Sequence, residues 1–249
     1  MKGLLFHEQL EIRVDVAGEE FEQGDQVVSA ITIKNRGGTK KLVDGPFLQL
    51  AVGDSKKLAQ KSEKAVQILT SSELNTSFNL GPDEDKKIPW TFELDRNCPI
   101  TDKSHSLYLL YGLRVAARAH LQLNVRPHAH IEGVLTIFET SFQFDPRGMK
   151  SRAGWVVATL KPPASRRFTV VEALELGLRF EGEKLFLHYT FKVKGLEAGP
   201  MTLEIKKKKI ELTRELVPGD YMSSAGFVDS ALLEPKIEEA LCSVLPKNK

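Results

Sequence analysis

The 249-residue sequence predicts an all-β protein, built as two tandem β-sandwich domains with a C-terminal helix. Three observations predict it. Short segments alternate apolar and polar residues at period two along most of the chain, the pattern of half-buried strands. Turn residues separate them at fairly regular spacing, as in sandwiches. Pro127 follows the last strand of the first set near mid-chain, leaving roughly 120 residues a side, enough for a modest domain.

The clearest element lies in Lys86 to Val115. Ile88, Trp90, Phe92 and Leu94 sit two apart and share one strand face. Burying each is worth about 1.5–3 kcal/mol. Pro89 has no N–H to give a ladder, so the strand is expected at an edge or a bulge. Gly81-Pro82 and Asp83-Glu84-Asp85 form the turn that feeds it. Beyond Pro99, Leu107, Leu109 and Tyr111 alternate with Tyr108, Leu110 and Gly112. Both faces are apolar or aromatic, which predicts a central strand.

The remaining first-half elements follow the same logic. Leu10 to Val16 is a strand with Glu11, Arg13 and Asp15 on its polar face. Phe21 to Asp25 turns, with Gly24 free to take positive φ. Gln26 to Lys34, Phe47 to Val52, Glu73 to Leu80 and His120 to Arg126 are strands. Ser55 to Ala65 reads as a lysine-rich loop rather than a helix. These elements make domain 1–127.

Domain 128–229 repeats the style. Thr136 to Phe144 is expected as a strand ending in an Asp145-Pro146-Arg147-Gly148 turn. Trp155 to Leu160, Phe168 to Phe180, Leu185 to Lys194 and Met201 to Leu212 follow as strands. Val171 to Phe180 also fits helical spacing, and the strand reading is preferred. In the tail, 230–249, Leu233, Ile237, Leu241 and Leu245 recur at helical spacing. Ser230 is the expected cap, and Pro235 is tolerable only in the first turn.

Composition limits the function classes. The formal net charge of +2 demands neither nucleic acid nor membrane, and no RNA-binding aromatic motif interleaves with the basic runs. Cys98 and Cys242 are too few for a disulfide framework and lack metal spacing, so both are expected as small buried hydrophobes. MKGLLFHEQLEIRV has too short an apolar run for a signal peptide, and no later stretch approaches a membrane span. The expectation is a cytoplasmic protein. No nucleophile motif, phosphate-binding glycine loop or H-E-x-x-H pattern is present, so no catalytic residue or cofactor is assigned.

Two segments carry a family resemblance. FEQGDQVVSAITIKN (Phe21 to Asn35) resembles the glycine-aspartate and strand opening of the arrestin superfamily, and IPWTFELDRNCPITDKSHSLYLLYGLRV (Ile88 to Val115) resembles its aromatic strand, proline-containing turn and following strand. The chain is most similar to its bacterial sporulation-control arrestin-like members. The likeness covers the first domain well and the second weakly. It implies two immunoglobulin-like, arrestin-type sandwiches joined by a short hinge. It also implies a non-enzymatic scaffold that binds protein or peptide partners through sandwich edges and the inter-domain surface. In arrestins, buried opposite charges between the domains act as a latch. By that resemblance Arg13, Asp15, Arg114 and Arg118 are candidates, against a reading as exposed strand charges.

Three further sites were weighed. His128, His130 and Glu132 would share a face if Ala129 to Val134 were a strand. They would then suit a metal ion, or a metal-dependent enzyme at the hinge, but no fourth ligand is indicated. A solvated strand edge is the preferred reading. Lys206, Lys207, Lys208 and Lys209 could touch an anionic membrane as part of a peripheral adaptor. In a strand only two would share a face, worth about 2 kcal/mol, so a lysine-protected edge is favoured. The stripe Leu233, Ile237, Leu241 and Leu245 either packs on its own domain, the preferred reading, or meets a partner groove.

Overall fold

The computed structural model describes residues 1–54, 66–72, 77–114, 117–198 and 203–245. The chain divides into two compact units, Met1–Arg126 and Pro127–Lys249. The expected Ser55 to Ala65 loop and residues 73–76 of the expected 73–80 strand lie outside the described residues.

In the first unit the strands are β1 (Lys2–His7), β2 (Leu10–Val16), β3 (Phe21–Glu22), β4 (Gln26–Asn35), β5 (Lys41–Val43) and β6 (Pro46–Asp54). They continue as β7 (Val66–Ser71), β8 (Phe78–Leu80), β9 (Asp85–Glu93), β10 (His105–Leu113), β11 (Ala117–Leu123) and β12 (Val125–Arg126). One sheet runs β1-β2-β4-β9 and the other β11-β10-β6-β7, both antiparallel. Period two decides what is buried. Ile12, Val14, Ile31 and Ile33 from the first sheet meet Leu48, Leu107, Leu109 and Tyr111 from the second in one core, while Arg13 and Asp15 point to solvent.

The predicted strands at 10–16, 26–34, 47–52, 88–94 and 107–115 correspond to strands of this sandwich, the last ending at Leu113, with Val115 outside the described residues. Pro89 sits on β9, an edge strand as expected, and β10 is central between β11 and β6. The N-terminal strand β1 was not anticipated, because its exposed Leu4 and Phe6 give it no clean alternation. It packs beside β11 through a close approach. A Cβ on Gly3 would come within 2.6 Å of the Tyr111 hydroxyl, so only glycine lets that ring fill the corner.

The second unit begins with a correction. Residues 129–140 form helix α1 (Ala129–Thr140), where the sequence reading put a strand from Thr136. The apolar residues Ile131, Val134, Leu135 and Phe138 fall at i, i+3, i+4 and i+7, a helical stripe that the strand-rich surroundings obscured. Asp145 to Gly148, expected as a turn, begins β13 (Asp145–Arg152), with a bulge between Pro146 and Gly148.

Strands β14 (Trp155–Lys161), β15 (Val171–Glu181), β16 (Lys184–Ala198) and β17 (Leu203–Leu216) complete an antiparallel meander in chain order. Val171 to Phe180 is thus a strand. Phe168 lies outside it, in the 3-10 turn Arg166–Phe168.

Buried Leu174, Leu176, Leu178, Leu187, Tyr189 and Phe191 form the inner face of this five-stranded sheet. Among the described residues, helices rather than a second sheet face it. The Phe138 ring of α1 lies 6.3 Å from Tyr189. Helix α2 (Pro218–Tyr221) and helix α3 (Ser230–Cys242) complete the layer.

Helix α3 is the predicted tail helix, with two corrections. Its cap is Asp229, whose carboxylate accepts from the Ala231 N–H at 2.9 Å, and not Ser230. Pro235 stands inside the helix, beyond the first turn. Leu233, Ile237 and Leu241 are at most 1% exposed, and Leu245 is half-buried. Burial of the first three is worth about 1.5–3 kcal/mol each. The stripe therefore packs within the second unit.

Candidate functional edge

The two four-stranded sheets of the first unit end in β1 and β9 and in β11 and β7, and β9 and β7 are chemically opposite. On β9, Asp85, Lys86, Lys87 and Pro89 blunt the edge, since charge and proline discourage strand addition. On β7 the segment Val66–Ser71 reads VQILTS, with no charge and no proline. Among the described residues it hydrogen-bonds only to β6. A register shift between Leu50 and Ala51 leaves Leu69 unpaired between Ile68 and Thr70. Ile68 and Leu69 are consequently adjacent and exposed, at 52% and 46%.

The C-terminal end of β7 adjoins a hollow of about 280 Å³, lined by Pro46, Phe47, Gln49, Ser71, Ser72, Arg114 and Arg118. Phe47, Gly112 and Arg118 occupy one row across β6, β10 and β11. The missing side chain at Gly112 lets the Arg118 guanidinium reach 5.7 Å from the Phe47 ring, within cation–π range. Arg118 also donates through Nη2 to the Arg114 carbonyl at 3.4 Å. The hollow contains two guanidinium groups and no carboxylate among its described lining residues. Its field favours an acidic group on whatever lies along β7.

The other anticipated sites are distributed differently. Arg13 and Asp15 form an ion pair of 2.8 Å, but their side chains are 48% and 29% exposed. Arg114 and Arg118 are exposed at a separate place. Within the first unit the structure therefore does not bring the four together, and each is at least partly exposed.

The shared strand face proposed for His128, His130 and Glu132 is also corrected. His128 caps α1, its Nδ1 accepting from the His130 N–H at 3.1 Å. On the helix, positions 130 and 132 point about 200° apart. His130 Nε2 meets the Gly226 carbonyl at 2.9 Å. No group of three potential metal ligands occurs among the described residues.

The lysine run belongs to β17, yet its neighbours change the arithmetic. Lys207 pairs with Lys194 and Lys209 with Lys192, so four lysines share a face instead of two. Three glutamates neutralise most of that charge. Lys192 meets Glu175 at 2.8 Å, Lys207 meets Glu172 at 3.0 Å, and Lys209 meets Glu211 at 2.5 Å. Of the two cysteines, Cys98 is buried as expected, whereas Cys242 is exposed. Among the described residues no helix is long and apolar enough to cross a membrane.

An all-β chain whose first unit is a two-sheet sandwich of this kind is arrestin-like in fold. The family model described as SpoOM protein, Spo0M, matches residues 11–151, and the chain belongs to the Spo0M family. The crystal structure of the sporulation control protein Spo0M from Bacillus subtilis superposes with a TM-score of 0.65 at 16% identity, covering 95% of this chain and 99% of that one. At that identity the likeness shows the fold. A β-glucosidase from Listeria innocua, at 13% identity and a TM-score of 0.29, covers 48% of this chain and 16% of its own. The DNA glycosylase AlkC from Pseudomonas fluorescens, at 14% and 0.28, covers 47% and 30%. Neither similarity carries an argument. No curated protein matches the sequence.

Proposed function

We propose that this protein is a non-enzymatic regulatory scaffold, and that it takes up an extended segment of a protein partner as an added strand on β7. The carrying observation is the contrast between two of the edge strands: β9 is protected by charge and proline, while β7 carries no charge and exposes Ile68 and Leu69. Main-chain hydrogen bonds supply affinity in strand addition, and side-chain pockets supply selectivity. Here Arg118 favours a segment that carries an acidic residue where it leaves the strand.

The test is affinity capture from cytosol with the full chain, its Ile68→Lys/Leu69→Lys variant, and a Phe6→Lys control. Phe6 is exposed on β1, away from the β7 edge. A partner captured by the parent and the control, but not by the β7 variant, supports the reading. Equal recovery by all three removes it.

A further inference from the structure

The second unit's sheet has an outer face that the scaffold reading does not use. One row across it is Val157, Gly177, His188 and Thr213, and the next is Thr159, Glu175, Thr190 and Glu211. Between these rows and Trp155 lies an open hollow of about 390 Å³. Gly177 is what makes room for it. The Cε3 edge of the Trp155 indole stands 3.2 Å from the place a Cβ on Gly177 would occupy, so the ring leans across a bare patch of backbone. The Arg179 guanidinium, 4.7 Å from the ring centre, holds the indole from one side. His188 is 6.0 Å away.

The polar groups are already oriented. His188 Nδ1 is 2.9 Å from the Thr213 hydroxyl, and its Nε2 lies 3.9 Å from Glu211. Lys192 fixes Glu175 and Lys209 fixes Glu211. Each carboxylate keeps further acceptor capacity, since an ionised carboxylate offers about four lone-pair sites. Among the lining residues Arg152 and Lys209 balance Glu175 and Glu211, leaving no net formal charge.

A single aromatic wall, fixed acceptors and donors on the floor, and a neutral lining define a narrow ligand class. An anion or cation would find an opposing charge for every favourable one. A purely apolar ligand would strip water from two carboxylates without replacing it, which is costly. A neutral polyhydroxylated ring satisfies both halves: its C–H face lies against Trp155 and its hydroxyls bond to Glu175, Glu211, His188 and Thr190. We infer that this hollow is a binding site for a neutral carbohydrate ring. It is independent of the β7 edge.

Titration calorimetry with four neutral sugars, N-acetylglucosamine, glucose and the β-1,4-linked hexamer of each, and with the anions glucuronate and glucose 6-phosphate tests this, alongside Trp155 emission in a Trp90→Phe background. Trp90 and Trp155 are the two tryptophans, so that background isolates the site. Millimolar or tighter binding with a shift in Trp155 emission is expected, weakened about tenfold by Glu211→Gln and abolished by Trp155→Ala. Glu211 is exposed on its strand, so its variant keeps the test informative should Trp155→Ala misfold. Binding of monomers as well as hexamers points to a free sugar, and binding of hexamers alone to a glycan; both support the site. No heat with any of the four sugars overturns it. So does binding confined to glucuronate or glucose 6-phosphate, or binding unaffected by Glu211→Gln.

Discussion

Phe47 and Arg118 meet across Gly112. The guanidinium carbon of Arg118 stands 5.7 Å from the Phe47 ring centre, although the whole of β10 separates their two strands. Gly112 has φ of +147°, a value that disfavours any side chain.

Gly112→Val should therefore act twice. It strains the backbone, costing about 1–3 kcal/mol, and it drives a side chain between Phe47 and Arg118. Urea denaturation is expected to show a lower midpoint, and capture of β7 partners should fall with it. Arg118→Gln, which leaves the backbone alone, should reduce capture while keeping the midpoint within about 0.5 kcal/mol.

Ile237→Ala should destabilise the second unit by about 2–5 kcal/mol, the usual range for emptying a filled core position. Ile237 is 0% exposed within a helix whose Glu239 also meets Arg214 of β17 at 2.6 Å. Removing residues 230–249 should cost more and uncover Leu187 and Tyr189. Increased binding of a hydrophobic dye would report it; unchanged stability would mean the tail does not hold the unit.

The glutamates on the outer sheet face give a pH dependence. Hydrogen bonds from Lys207, Lys192 and Lys209 respectively hold Glu172, Glu175 and Glu211 below the usual carboxylate range. A carboxylate depressed in the folded state contributes stability above its unfolded pKa and loses it as pH falls through the folded one. Thermal midpoints should thus decline with acidification below the ordinary carboxylate range. Lys192→Met should remove Glu175's share of that decline, and an unaltered profile would show the pair to be without effect on stability.

Thiol chemistry should separate the two cysteines. Burial pushes the Cys98 thiol up to about 12, so it stays protonated and closed to iodoacetamide until the first unit opens. Cys242 is exposed, but its hydrogen bond to Glu238 raises its pKa. Native alkylation should mark Cys242 alone, and slowly; Glu238→Gln should speed it. Labelling of Cys98 under native conditions would mean that its surroundings open readily.

The sandwich of the first unit was legible because strands such as Leu10 to Val16 and Ile88 to Leu94 alternate, each turning one parity of residue inward. Helix α1 was not legible, because Ile131, Val134, Leu135 and Phe138 were divided between an expected hinge and an expected strand. Their i, i+3, i+4, i+7 spacing was the available signal. The functional edge left a fainter trace. VQILTS is short and half-polar, and only its position beside β6, with Pro89 and its lysines placed on the other edge, shows what its lack of charge means. The outer-face hollow depended on register. Nothing local to Gly177 announces that Trp155 will lean over it.

The paired strands β16 and β17 run past the end of β15. Four rungs, from Gly195–Lys206 to Ala198–Leu203, lie beyond the Lys194 N–H bond to Val170. Up to Val193 the backbone of β16 is clamped on both flanks; beyond Lys194, among the described residues, it is clamped on one. A two-stranded ribbon is only marginally stable by itself, so one continuous strand carries two rigidities. Amide protons should exchange slowly up to Val193 and quickly after Gly195. The step would fall within a strand instead of at a loop, so that β16 is stiff along one stretch and compliant along the next with no joint between them.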